Sequence, residues 1–66
     1  MTKEKLLTKI VNERKRQGLT ISEAAQEAGM VQPDWSRYEN QTREASWERL
    51  IDMAAAVGLR VTVHLD

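Results

Sequence analysis

The sequence predicts a mostly α-helical domain closed by one C-terminal β-strand. Three observations carry this. The chain has 66 residues, enough for one core. Its glycines, at 18, 29 and 58, and its one proline, Pro33, cut it into short segments with helical apolar spacing. After Gly58 the spacing changes: Leu59, Val61, Val63 and Leu65 alternate with Arg60, Thr62 and His64, which is the period of a half-buried strand.

In the first segment Leu6, Leu7, Ile10 and Val11 form one helical stripe, with Thr2 as cap and Gly18 as stop. The second opens on Leu19-Thr20-Ile21-Ser22-Glu23. Thr20 and Glu23 have the spacing of a capping box, Leu19 is placed to staple onto Ala24, and Gly29 ends the helix. The third helix is expected to start at Pro33, with Gln32 as its N-cap and Asp34 complementing the dipole of its first turn. Trp35 and Tyr38 share one face, and Asn40 terminates it. A fourth helix runs from a Ser46 cap to Gly58, with Trp47, Leu50, Ile51, Ala54 and Val57 on one stripe. The alternating tail has no mate within the chain. The simplest partner is the same strand from a second copy, with Leu59, Val61, Val63 and Leu65 facing the core of the dimer. The expected organisation is therefore a helical unit over residues 1–58 and a dimerisation strand over 59–66.

Composition removes several function classes. With no cysteine there is neither a disulfide framework nor a thiolate metal site, and one histidine, His64, cannot build a histidine zinc site. No apolar run approaches the roughly 20 residues of a membrane span, and the mixed charges of Lys3, Glu4 and Lys5 are unlike a signal peptide. A cytoplasmic protein without cofactor is expected. Carboxylates such as Glu23 and Glu27 sit at helix-face spacing, and no catalytic constellation is visible. The net charge is zero but uneven: residues 1–18 carry +4 and residues 19–66 carry −4. A neutral total weakens non-specific attraction to nucleic acid, while the basic end preserves some of it.

Residues 20–40 carry the functional signal. A short capped helix, a glycine turn and a second short helix follow one another. Ala25 is small enough for a steep helix crossing, and Gly29 supplies the positive φ of a sharp turn. With Trp35 and Tyr38 inward, the polar residues of the second helix face out. That describes a helix-turn-helix unit, whose second helix fits a DNA major groove.

At Gly18-Leu19-Thr20, Glu23-x-Ala25, Gly29, Ser36-Arg37-x-Glu39-Asn40, and Ser46 through Ala54 to Gly58, the sequence resembles the Cro/C1-type, or XRE, helix-turn-helix family. The resemblance runs without a gap over about residues 4–58. The tail resembles that of HipB-type antitoxins and some phage Cro repressors. Ile21, Val31 and Gln41 stand where the family commonly has glutamine, a serine or threonine cap, and glycine. Trp35 replaces an aliphatic plug, and alanines at 24 and 28 replace leucines, a volume swap that makes room for one indole. The resemblance implies a four- or five-helix lambda-repressor-like domain with the C-terminal strand pairing across a homodimer. It also implies a sequence-specific transcriptional regulator, a repressor or autoregulator, on an inverted-repeat operator in double-stranded DNA. Two rivals stay open: an antitoxin that also binds a toxin protein, and a protein-interaction domain that has lost DNA binding. At this size regulation is expected to come from dose, proteolysis or a partner.

Each candidate residue has a plainer alternative. Gln32, Asp34, Ser36 and Arg37 are the candidate base-contacting residues. Arg37 suits guanine, Gln32 suits adenine or a phosphate, and Asp34 could accept from cytosine. The alternative is a solvated polar face, with Asp34 only a first-turn charge. Thr20, Asn40, Thr42, Arg43 and Lys9 are the candidate phosphate contacts; a cap at Asn40 and an ordinary charged face around Lys9 are the alternatives. Trp35, Tyr38 and Trp47 are assigned to the core rather than to stacking on bases. By resemblance, Arg14 pairs with Glu39 as a structural ion pair tying the first helix to the third.

Overall fold

The computed structural model describes residues 2–62. They form four helices: α1 (Lys3–Arg16), α2 (Ile21–Glu27), α3 (Gln32–Glu39) and α4 (Trp47–Ala56). α1 and α2 both pack on α4, and α2 packs on α3.

Three helices start where a side-chain oxygen can take an orphan amide. Thr2 Oγ1 accepts from the Lys5 N–H (3.2 Å) and Ser46 Oγ from that of Arg49 (3.1 Å). At Thr20 the box is complete: its hydroxyl accepts from the Glu23 N–H (3.0 Å), and its own N–H donates to the Glu23 carboxylate (3.0 Å). That backbone donor holds the Glu23 carboxyl below its usual pKa. α3 departs from expectation. Its N-cap is Val31, one residue before the expected Gln32, and no side chain caps it. Pro33 then lies in the first turn, where its missing N–H leaves no intrahelical bond unmade.

All four helices stop the same way. The residue after each C-cap takes positive φ: Gly18, Gln41 and Gly58, with Gly29 closing α2. The next N–H then reaches back to the final turn, as in Leu19 to Arg14, Met30 to Ala25, Thr42 to Arg37 and Leu59 to Ala54 (2.9–3.0 Å). Gln41 is the one non-glycine in this role, at φ 60°.

The core is Leu6 and Ile10 of α1, Ala24 and Ala25 of α2, Trp35 and Tyr38 of α3, Leu50, Met53 and Ala54 of α4, with Ala45 and Val57. Trp35 is completely buried beside Ala24, and Ala28 packs against the same cluster. Trp47 is not a core residue: it is 42% exposed. As the first residue of α4 it lies at the rim, with the Lys3 ammonium 6.0 Å from its ring centre.

The expected C-terminal strand is corrected. Among the described residues there are four helices and no strand. Leu59 and Val61 pack against this chain's own helical core, and the Leu59 N–H is spent on α4. Their alternation marks a segment that lays every second side chain on its own domain. A strand also needs a ladder partner, and no other described segment offers one. The cross-dimer strand of Leu59, Val61, Val63 and Leu65 is therefore not part of this fold as described; Val63 and Leu65 lie outside the described residues.

Candidate functional site

α2 and α3 are joined by the tight turn from Ala28 to Val31. Small Ala24 and Ala25 on α2 admit α3 closely, and Trp35 and Tyr38 anchor it from the inside. The opposite side of α3 must then carry the remaining polar residues. Gln32 and Arg37 are exposed there, and Asp34 and Ser36 are half-buried. Val31, at the entrance to α3, is 61% exposed. It is an apolar residue on a polar rim and belongs with this surface, though sequence reasoning treated it only as a missing cap.

The reversal at Gln41 folds the next residues back onto α3. Thr42 Oγ1 donates to the Arg37 carbonyl (3.3 Å), and Asn40 Nδ2 donates to Ser36 Oγ (3.4 Å). The Arg43 guanidinium lies 5.8 Å from the centre of the Tyr38 ring. Asp34 stands between two arginines. Its Oδ1 accepts from Arg37 NH1 at 3.0 Å and lies 3.7 Å from Arg43 NH1. The structure thus brings Asp34, Ser36, Arg37, Asn40, Thr42 and Arg43 into one connected patch, with Gln32 exposed one turn before Ser36.

Thr20 is exposed, with its oxygen engaged as the α2 cap. Lys9 is exposed on α1, and no contact joins it to the α3 patch. The basic end of α1 is partly spent internally: Arg16 pairs with Glu13, Lys3 with Glu44, and Arg14 with Glu39. The last pair supports the whole site. Arg14 Nε donates to Glu39 Oε2 (3.1 Å), NH2 to Oε1 (2.5 Å) and NH1 to the Leu19 carbonyl (2.8 Å). Trp35 Nε1 donates to Glu39 Oε2 at 2.7 Å. One ion pair therefore joins the end of α1, the chain entering α2 and the buried indole of α3. Both charged side chains are only 10% exposed.

The Asp34–Arg37 pair was open to sequence reasoning, because residues three apart on a helix are neighbours. The Asp34–Arg43 approach was not, since it depends on the turn at Gln41. Among the described residues no group of three or more His, Cys, Asp or Glu could hold a metal ion, and no helix is long and apolar enough to cross a membrane.

A family model described as a helix-turn-helix domain matches residues 1–66. No curated protein and no solved structure matches the chain.

Proposed function

The chain belongs to the helix-turn-helix domain family, and from that premise we propose that it is a sequence-specific DNA-binding transcriptional regulator of the Cro/C1 type, acting as a repressor or autoregulator. The carrying observation is the division of α3: Trp35 and Tyr38 are buried, while Gln32 and Arg37 are exposed and the polar turn through Asn40, Thr42 and Arg43 lies beside them. A single helix of this width fits the major groove, Arg37 has the chemistry for guanine, and Arg43 has that for a phosphate. Exposed Val31 and Pro33 offer apolar contact to a thymine methyl.

One such helix reads too few base pairs to single out a genomic site. Two copies about a two-fold axis solve this, with half-sites about one turn, roughly 34 Å, apart on an inverted repeat. The homodimer rests on that requirement and not on a β-ribbon.

Selection from a random duplex pool, followed by gel shift, tests the reading. Arg37→Ala is expected to cost about 1–3 kcal/mol on the selected site and to relax one base position, whereas Arg43→Ala weakens all duplexes alike and lowers the salt slope by about 1. Enrichment of no sequence at low salt would sink the DNA reading and leave the protein-interaction rival. Sedimentation of the protein on the selected duplex counts the copies bound.

A further inference from the structure

The patch just described contains an arrangement that a simple basic surface lacks. Both arginines assigned to DNA already have an anionic partner in the protein, and it is the same one. Asp34 Oδ1 is 3.0 Å from Arg37 NH1 and 3.7 Å from Arg43 NH1. Asp34 is 33% exposed, against 55% and 56% for the two arginines, so the acid sits beneath them and they reach outward. Arg43 is also held over the Tyr38 ring. Glu44 follows directly and is paired with Lys3 of α1 (3.4 Å), so its charge does not reach the two arginines unopposed.

We propose that Asp34 is a specificity-determining residue of the α3 surface: it positions Arg37 to read guanine and restrains both arginines from non-specific phosphate. The inference rests on the DNA-binding reading above. A guanidinium has five N–H donors in a rigid fork. In Arg37 the bond to Asp34 uses NH1, which leaves donors on Nε and NH2 for guanine O6 and N7. The acid thus fixes the side chain without consuming its reading capacity. A phosphate offers a different exchange. It must draw Arg37 or Arg43 away from a carboxylate of the same charge, and it suffers repulsion from that carboxylate while doing so. Non-specific binding is carried almost wholly by the phosphates, with no guanine in register for Arg37. A matched site adds a guanine that Arg37 meets while still held by Asp34. Asp34 therefore penalises random duplex more than the matched one. The neutral total charge of the chain acts in the same direction.

The test measures Kd against salt concentration for wild type, Asp34→Asn, Asp34→Glu and Arg43→Ala, on the duplex selected by wild type and on a random duplex. Circular dichroism melts establish that each variant is folded. For Asp34→Asn the expected result is about tenfold tighter binding to random duplex and a log–log salt slope steeper by about 0.9, the value for one additional phosphate contact. Its preference for the selected duplex is expected to shrink by about tenfold or more, and a fresh selection with it should lose information at the guanine. Asp34→Glu, which keeps the charge, should stay within a few-fold of wild type on random duplex. If Asp34→Asn matches wild type in random-duplex affinity and in salt slope, the inference is overturned while the DNA reading stands. If neither wild type nor Asp34→Asn retains any duplex at low salt, the DNA reading itself has failed.

Discussion

At the scale of single residues, Arg14 and Glu39 show what a nearly buried charge requires. Each is stranded if the other is removed, and Glu39 also accepts the buried Trp35 indole N–H. We expect Arg14→Ala or Glu39→Ala to cost about 3–5 kcal/mol, which in a domain this small approaches the total stability. Arg14→Lys should not rescue, because an ammonium cannot reproduce the two parallel bonds and the third to Leu19. Replacing both with well-packed apolar residues should be milder than either single change. Thermal melts of the single mutants within about 0.5 kcal/mol of wild type would contradict this. Gln41 offers the opposite case. It occupies a left-handed conformation that disfavours a Cβ, so Gln41→Gly should stabilise by about 1 kcal/mol. A lowered melting temperature would show that the Gln41 side chain has a use that its backbone angle does not reveal.

At the scale of elements, the helix boundaries were largely legible and their placement was not. Thr20 with Glu23, Ser46 and the three glycines are local signals, because each acts within its own turn. Val31 as the α3 cap was missed because Pro33 usually disfavours helix at the residue before it, whereas Gln32 is helical here. Trp47 was missed because the apolar stripe of α4 extends one residue beyond what the neighbouring helices cover. Contacts between elements left no trace in spacing. The end of α1 gives a pH test. Arg16 and Gln17 both donate to Glu13, which holds its carboxyl at about 2 against the usual 4.5. Gln17 also donates to the Val57 carbonyl (2.8 Å), joining the ends of α1 and α4. A depressed carboxyl pKa favours the fold above the unfolded value and loses that contribution as pH falls through the folded one. The melting temperature of wild type should therefore fall relative to that of Glu13→Gln between about pH 4.5 and 2. A gap between the two that stays constant over that range would rule out the linkage.

At the scale of the whole molecule, the candidate surface was legible as residue types but not as a network. Gln32, Ser36, Arg37, Asn40, Thr42 and Arg43 were all identifiable from their position after the glycine turn. That one acid binds two of the arginines depends on the backbone reversal at Gln41. The tail was misjudged for a physical reason. Alternation specifies that every second side chain is buried, and it is silent about whether the cover is a second chain or the same one. Leu59 and Val61 use their own helices. Val61→Ser should therefore destabilise the protein by about 1–2 kcal/mol at any protein concentration. A destabilisation that vanishes on dilution would instead place Val61 between copies.

The two tryptophans give this chain a built-in pair of optical reporters. Trp35 is completely enclosed, and its N–H is bonded to the carboxylate that joins α1 to α3, whereas Trp47 is 42% exposed beside Lys3 at the start of α4. Their emission should differ in colour, with Trp35 the bluer, and an iodide titration should quench Trp47 alone while the fold is intact. Trp47→Phe would leave a signal that follows the seating of α3 and little else. Trp35→Phe would leave one that follows events at the start of α4. Because the chain has no other indole, the loosening of α3 and of the start of α4 can be timed separately in the same protein, with no dye attached.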